Sequence, residues 1–216
     1  AREYFSLKEV NEQLVEENME LRNRLDRVST LLDSATVVNE LKGEHRYYYV
    51  QSRIVQNSIY KQFNYLTLNK GKKQGVFRNM GVVSDQGLVG IILETSANFA
   101  TVIPVINRDF RLSAKIKSNN YAGILQWDGI SPRFAVLNEI PFHVDLSEGD
   151  TILTSGFSSI FPEGIDVGTI ESFSLEKGNF YDIRVKLFTD FQRLYHVNVI
   201  RNSRQEEQLN LENQTR

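Results

Sequence analysis

The feature that most constrains the fold of this chain is a change in the period of its apolar residues near Gly43. Before that residue, apolar side chains recur about every 3.5 residues, which is typical of a coiled-coil helix. After it, apolar and polar residues alternate and turn sequences such as Asp128-Gly129 recur, which is typical of short antiparallel strands. The chain is therefore predicted to join an amino-terminal helix to an all-β body.

The amino-terminal helix is predicted to form a parallel dimer. Its heptad pattern runs from Tyr4 to about Leu32, and its a positions include Asn11 and Asn18. A buried asparagine at a costs stability but favours two parallel strands, because the two amides pair across the axis. The predicted dimerisation residues are Leu7, Asn11, Leu14, Asn18, Leu21, Leu25, Val28 and Leu32. The alternative interpretation is one amphipathic helix that lies on its own β body.

The β body is predicted to contain about a dozen short strands, which is too many for one small barrel. Two six-stranded barrels with short loops would accommodate them. The candidate strands are residues 47–55, 65–68, 88–93, 100–106, 112–116, 122–127, 134–138, 151–154, 167–173, 181–188 and 195–200. Beyond them, residues 202–216 are rich in Gln, Glu and Asn, so this tail is predicted to be disordered.

Composition and charge exclude several classes of protein. The chain has 25 Lys and Arg against 27 Asp and Glu, and these charges are interspersed, so no field exists to attract nucleic acid. The absence of cysteine excludes disulfides, thiol nucleophiles and thiolate metal sites. No apolar run approaches the roughly 18 residues that span a bilayer. Because the chain begins inside a helical pattern, we expect any membrane anchor to lie upstream of it.

No metal, cofactor or catalytic site is predicted. The histidines, His45, His143 and His196, lack the spacing of a metal-ligand motif. His45, Asp85 and Ser155 follow the chain order of a chymotrypsin-type triad. However, His45 precedes the first predicted strand, and Ser155 stands in Thr-Ser-Gly-Phe instead of the Gly-Asp-Ser-Gly that presents a nucleophile. The sequence therefore favours a non-enzymatic protein.

Two polar clusters are predicted to be ordinary solvated turns. Glu148 and Asp150 flank a glycine, but paired carboxylates act as acid and base only where their environments differ, which a polar turn does not provide. Lys70, Lys72 and Lys73 lie among glycines, but they lack the residue order and the following helix of a phosphate-binding loop.

An apolar loop bounded by Gly156 and Gly164 is the strongest candidate for a functional surface; we call residues 156–164 the FP loop. Its glycines permit positive φ, and its proline restricts the backbone. Its apolar side chains are predicted either to close the end of a barrel or to face a partner. The candidate partner-binding residues are Phe157, Ile160, Phe161 and Pro162.

At this loop the chain resembles a known family. The run GDTILTSG at residues 149–156, followed by FPEGIDVG at residues 161–168, resembles the signature of the MreC family of rod shape-determining proteins. The glycine-rich residues 69–90 and the stretch from Ile106 to Gly123 are similar to the same family. The resemblance extends to about residue 200.

The resemblance implies two small β-barrels with a chymotrypsin-like path and no triad, in which strands from the C-terminal part return to the first barrel. On this basis residues 1–43 are expected to form the dimerisation helix and hinge. Residues 44–86 with 168–201 are expected to form the first barrel, and residues 87–167 the second.

The resemblance further implies a single-pass protein of the bacterial inner membrane, with this part of the chain in the periplasm. The implied role is to organise the lateral cell-wall elongation machinery that maintains rod shape. The implied partners are a second copy of the chain, a class B penicillin-binding transpeptidase, MreD and RodA, with MreB reached indirectly and no nucleic acid. The alternatives are a periplasmic adaptor of an export complex and a relative of chymotrypsin-like hydrolases.

Overall fold

In a computed structural model, the structure describes residues 14, 16–22, 24, 46–175 and 179–214. Within them the chain forms an amino-terminal helical segment, an all-β body that includes a short 3-10 helix at Lys72–Gln74, and a C-terminal helix. The strands are β1 (Tyr47–Asn57), β2 (Leu66–Leu68), β3 (Gly81–Val83), β4 (Leu88–Thr95), β5 (Ala100–Pro104), β6 (Arg111–Ile116), β7 (Ala122–Gln126), β8 (Phe134–Pro141), β9 (Thr151–Thr154), β10 (Asp166–Leu175), β11 (Phe180–Leu187) and β12 (His196–Asn202). The C-terminal helix spans Gln205–Gln214.

The strands close into two six-stranded antiparallel barrels, which confirms the predicted architecture. Barrel 1 has the strand order β1-β12-β3-β4-β5-β2, and barrel 2 has the order β10-β11-β8-β7-β6-β9. The alternation in the sequence explains which side chains face inward: in β6, for example, Leu112, Ala114 and Ile116 are buried and alternate with more exposed residues. Closure leaves neither sheet with an unpaired edge.

The predicted division of the chain between the barrels is corrected by the strand pairing. β4 and β5 belong to barrel 1, although the predicted boundary places residues 87–104 in the second barrel. β10 and β11 belong to barrel 2, and of the strands after residue 168 only β12 returns to barrel 1. The physical reason is that consecutive antiparallel strands pair with each other: β3 pairs with β4, and β10 pairs with β9 and β11.

The C-terminal segment corrects the prediction of a disordered tail. The Asn202 side chain accepts a hydrogen bond from the Arg204 backbone N–H at 3.0 Å, just before the helix begins. The Gln205 amide then donates to the Asn79 carbonyl at 2.8 Å, which fixes the first turn to barrel 1. Gln, Glu and Leu are also good helix formers. Hydrogen bonds at the first turn therefore order this helix, although its sequence offers few apolar side chains to bury.

The described part of the amino-terminal segment is helical at residues 14, 16–22 and 24. Arg22 Nη2 donates to the Ser84 carbonyl of barrel 1 at 3.4 Å. Of the predicted dimerisation residues, Leu14, Asn18 and Leu21 are described, and the others lie outside the described residues. The long coiled coil therefore stays a prediction. No helix among the described residues has the length and apolar character needed to cross a membrane.

The two barrels approach each other closely at Gly87 and Thr189. A Cβ atom at Gly87 would lie 2.2 Å from the Asp166 carbonyl oxygen, so only glycine permits this contact between β10 and the β3–β4 turn. Thr189, between β11 and β12, donates its buried hydroxyl to the Leu88 carbonyl at 2.8 Å. These contacts hold the junction that the FP loop also reaches.

Candidate functional site

The FP loop leaves barrel 2 between β9 and β10 and is held at both ends by hydrogen bonds. Thr154 Oγ1 donates to the Pro162 carbonyl at 2.7 Å and accepts from the Ile165 N–H at 2.9 Å. The Gly164 N–H donates to the Thr154 carbonyl at 3.1 Å. Gly156 and Gly164 have φ of 78° and 90°, as predicted for the two glycines that reverse the chain. The loop is therefore rigid despite its glycine content.

Phe161 fills the space between the two barrels. Its ring is 1% exposed, and a Cβ atom at Gly81 would lie 2.5 Å from the ring. Beside it, the Asn202 amide of β12 donates to the Ser159 carbonyl at 2.8 Å. Phe161 thus has the first of its two predicted roles, as a core residue, and its side chain is not available to a partner.

The other candidate residues of the loop have different exposure. Phe157 is 80% exposed, while Ile160 and Pro162 are partly buried. The Phe157 N–H donates to Ser155 Oγ at 3.1 Å, which fixes the backbone beneath the exposed ring. The loop therefore has a buried side chain that anchors it to barrel 1 and an exposed aromatic side chain at its surface.

Charge at the loop is balanced. Glu163 forms an ion pair and hydrogen bond with Lys115 of β6, whose ammonium also donates to Asn120 Oδ1 at 2.8 Å. The Glu163 side chain is 62% exposed and the Lys115 side chain 13% exposed, so the pair lies at the edge of the surface, where the two charges neutralise each other. The surface around Phe157 consequently offers apolar contact area without a strong net charge.

The residues that match the triad order do not form a catalytic site among the described residues. Ser155 is buried, and its Oγ lies 2.9 Å from Ser113 Oγ and 3.1 Å from the Ser113 carbonyl oxygen. Asp85 lies in the β3–β4 turn of barrel 1, and His45 lies outside the described residues. His143 packs edge-on against Tyr121 and Phe142, and His196 is exposed on β12.

The two polar clusters are structural. Asp150 Oδ2 accepts hydrogen bonds from Ser118 Oγ at 3.2 Å and from the Ser147 N–H at 3.3 Å. The N–H groups of Lys72 and Lys73 donate to the carbonyls of Ser96 and Ala97. These two N–H groups are therefore already paired and are not available to bind a phosphate. No group of three or more His, Asp or Glu that suits a metal ion is found in the described part of the chain.

The sequence did not identify a second apolar surface, which is made of two loops. Tyr60 and Phe63 lie in the β1–β2 loop, and Ile130 lies in the β7–β8 loop; Tyr60 and Ile130 are each about 80% exposed. The loops are joined because Gln62 Nε2 donates to the Gly129 carbonyl at 3.1 Å. The Asp128-Gly129 turn indicated a loop here, but no local pattern in the sequence indicated that it contacts Gln62, which lies 67 residues earlier.

Comparison with known proteins gives a consistent result. The sequence profile of the family described as rod shape-determining protein MreC, barrel core, matches residues 54–201. The chain is similar to the cell shape-determining protein MreC of Listeria monocytogenes, at 27% identity over 205 residues, which cover 87% of this chain and 68% of the relative. It is similar to the MreC of Haemophilus influenzae at 25% identity, covering 88% of this chain and 54% of that protein. The chain thus spans about half to two thirds of the length of these relatives.

Solved structures share the fold. The structure of MreC from Listeria monocytogenes superposes with a TM-score of 0.70 at 26% identity, covering 92% of this chain and 95% of that one. A complex between penicillin-binding protein PBP2 and MreC from Helicobacter pylori contains a similar chain, with a TM-score of 0.61 at 20% identity and coverage of 73% and 99%. At that identity the second likeness concerns the fold alone.

Proposed function

The chain belongs to the MreC family of rod shape-determining proteins, and on that premise we propose that it is a non-catalytic scaffold of the lateral cell-wall elongation machinery. In this proposal the two barrels lie in the periplasm, and a transmembrane helix upstream of the coil holds them at the bacterial inner membrane. The observation that carries the proposal is the match to the family's barrel core over residues 54–201. The rigid FP loop, with Phe157 at its surface, supplies a surface suited to protein binding.

The proposed partner is a class B penicillin-binding transpeptidase. Support comes from the Helicobacter pylori neighbour, which is a complex between PBP2 and an MreC of the same fold. A scaffold that binds such an enzyme would position peptidoglycan synthesis, and this agrees with the shape-determining role of the family. MreD and RodA are proposed as further partners, with MreB linked indirectly across the membrane.

Phe157 is the proposed contact residue, flanked by Ile160 and Pro162. An exposed aromatic ring offers a large apolar area, and aromatic residues are common among the side chains that dominate binding energy. Because Thr154 and Ser155 already fix the loop backbone, little conformational entropy remains to be lost on binding. Phe161 contributes indirectly, by holding the loop against barrel 1.

Dimerisation through the amino-terminal helix is the second part of the proposal. Leu14 and Leu21, two predicted seam residues, are 50% and 49% exposed, so a second helix has apolar surface to cover. A dimer would present two barrel pairs to one partner assembly and raise the effective concentration of the second site. Replacing Asn11 and Asn18 with Leu should change the oligomeric state in analytical ultracentrifugation, and an unchanged monomer would reject the coil.

Binding measurements with Phe157→Ala test the proposed contact. We expect the affinity for the purified periplasmic region of the transpeptidase to fall about 10- to 30-fold, which corresponds to about 1.4–2 kcal/mol. The melting temperature should be unchanged because the ring is 80% exposed.

Leu175→Ala is the matched control, since it removes a side chain that is 66% exposed at the end of β10. This variant should bind like the wild type. If Phe157→Ala also binds like the wild type, the contact lies elsewhere on the barrels. If the wild-type chain itself fails to bind, the transpeptidase is not its partner.

A further inference from the structure

The two-loop surface, made of residues 58–65 and 127–133, projects apolar side chains into solvent. Tyr60 and Ile130 are 81% and 79% exposed, and Phe63 is 50% exposed. A group of exposed apolar side chains marks a contact with another protein or with a membrane. Because Tyr60 and Ile130 belong to loops of different barrels, the partner that covers this surface contacts both barrels.

Hydrogen bonds hold the two loops together beneath these side chains. Gln62 Nε2 donates to the Gly129 carbonyl at 3.1 Å, and the Gln62 carbonyl accepts from the Arg108 N–H at 3.2 Å. The Arg108 guanidinium donates to the Asp128 carbonyl at 2.8 Å. A Cβ atom at Gly129 would lie 2.4 Å from Gln62 Oε1, so this approach requires glycine. The apolar side chains are therefore presented on a fixed base, which lowers the conformational entropy lost on binding.

The charged side chains at this surface are more basic than acidic. The two loops contain Lys61, Arg133 and one acidic residue, Asp128, and Arg108 lies against the Asp128 carbonyl. These three basic side chains are exposed and form no ion pair with another described residue. Asp109, the next residue after Arg108, lines a separate cleft beside β4. The surface therefore carries a net positive charge beside its apolar side chains.

We propose that the two-loop surface is a contact site for an anionic lipid membrane. Apolar side chains at the loop tips enter the boundary between headgroups and acyl chains, and the basic side chains beside them pair with anionic headgroups. Each basic side chain near such a surface strengthens binding about fivefold. The inference rests on the proposed function for the anchor that holds the barrels at the membrane, and it adds a second contact that fixes their orientation.

The exposure of the side chains favours a membrane over a protein partner. Side chains that are about 80% exposed protrude from the body, and a rigid protein would need a matching pocket for each of them. A fluid interface accepts protruding side chains without matching pockets. Tyrosine is common at this depth because its ring is apolar and its hydroxyl is polar. Since the proposed anchor already keeps the chain at the membrane, weak insertion is sufficient.

The path of the chain agrees with this position of the membrane. Gln192 Nε2 donates to Tyr60 Oη at 3.2 Å, and the next residues, 193–198, line a cleft with Leu14 of the amino-terminal helix. Leu14 therefore lies on the same side of barrel 1 as the two-loop surface. The anchor is proposed to lie upstream of Leu14, so we expect the membrane on this side of the body.

A tryptophan placed at the tip of the surface tests the membrane contact. Ile130→Trp adds an exposed indole, and Leu175→Trp, at a side chain 66% exposed on barrel 2, is the matched control. Each chain is tethered through an amino-terminal histidine tag to vesicles with a small fraction of nickel-chelating lipid, which takes the place of the proposed anchor. The vesicles consist of phosphatidylglycerol and phosphatidylcholine, with or without bromine on the acyl chains.

Bromine quenches an indole only when the indole enters the membrane. After subtraction of the wild-type signal from Trp127, the emission of Ile130→Trp should fall about twofold on brominated vesicles, since insertion reaches the acyl boundary. The emission of Leu175→Trp should not change. Equal quenching of both variants would show contact without a preferred orientation and would overturn the assignment to this surface.

Vesicles of phosphatidylcholine alone test the part played by charge. On them the quenching of Ile130→Trp should largely disappear. The same loss is expected on anionic vesicles when Lys61→Gln and Arg133→Gln are added to the Ile130→Trp chain, because two contributions of about fivefold are removed. Unchanged quenching in both cases would overturn the preference for an anionic membrane.

Transport of the test to the transpeptidase separates this inference from the proposed function. A chain with Tyr60→Ser and Ile130→Ser should bind the purified periplasmic region of the transpeptidase like the wild type. If Ile130→Trp is not quenched on anionic vesicles, the membrane contact is wrong, and the proposed function stands as long as the wild type binds the transpeptidase. If the Tyr60→Ser, Ile130→Ser chain then binds that enzyme about tenfold more weakly, the surface contacts a protein instead. Quenching in a chain that does not bind the transpeptidase supports the membrane contact and rejects that partner.

Discussion

The contact between Phe161 and Gly81 gives the sharpest test of how the barrels are joined. Phe161 is 1% exposed, so Phe161→Ala removes a fully buried phenyl group. Such a deletion costs about 3–5 kcal/mol. For a protein of this size, we expect the melting temperature to fall by about 6–20 °C.

Gly81→Ala should destabilise the chain for the opposite reason. The added Cβ would lie 2.5 Å from Phe161 Cε1, and such overpacking costs about 1–3 kcal/mol. In the Phe161→Ala background the same methyl group enters vacated space. There Gly81→Ala should be neutral, or should stabilise β3 by up to about 1 kcal/mol, since glycine weakens a strand.

The four proteins of this double-mutant cycle are compared by urea unfolding. The single tryptophan, Trp127, reports on barrel 2 by fluorescence, and far-UV circular dichroism reports on the whole chain. The expected coupling free energy, which is the difference between the two costs of Gly81→Ala, is about 1–4 kcal/mol. If Gly81→Ala costs the same with and without the Phe161 ring, the two residues are not in contact and the assigned role of Phe161 is wrong.

Two further substitutions test buried polar groups in the amino-terminal part of the body. Ser52→Ala should raise the free energy of unfolding by about 0.5–1.5 kcal/mol, because the buried Ser52 hydroxyl has no partner among the described residues; a loss of stability would show that the hydroxyl is bonded. Asn64→Ala should lower the free energy of unfolding by about 2–4 kcal/mol. The Asn64 amide donates to the Ile106 carbonyl at 2.7 Å and to the Lys61 carbonyl at 2.8 Å, and its oxygen accepts from the Lys61 N–H at 2.9 Å. Both are measured by urea unfolding, and a change below about 0.5 kcal/mol for Asn64→Ala would contradict the network.

Alternation in the sequence was sufficient to locate most strands. In β11, Ile183 and Val185 are buried while Arg184 and Lys186 are exposed, as the period of two predicts. The exception is β3, Gly81–Val83, in which all three residues are buried. A strand of three buried residues has no alternation to detect, so local pattern cannot distinguish it from a loop.

The assignment of strands to barrels could not be predicted locally because it depends on distant pairs. Barrel 1 closes where Tyr47 of β1 pairs with Asn202 of β12, and no neighbouring residue of either strand carries that information. The same holds for the FP loop. The sequence left Phe161 with two possible roles, and the residue that decides between them, Gly81, lies about 80 residues earlier and belongs to the strand that the sequence did not predict.

The way the chain passes between the barrels bears on the proposed scaffold role. Barrel 2 is inserted between β5 and β12 of barrel 1, so two segments connect the barrels. Both segments are anchored: Phe110 is buried in the first, and Thr189 is hydrogen-bonded to Leu88 in the second. The FP loop adds a third connection through Phe161. A single linker would allow hinge motion, which is common between domains, whereas three connections restrict it, so surfaces on the two barrels keep a fixed separation and orientation, as the proposed scaffold requires.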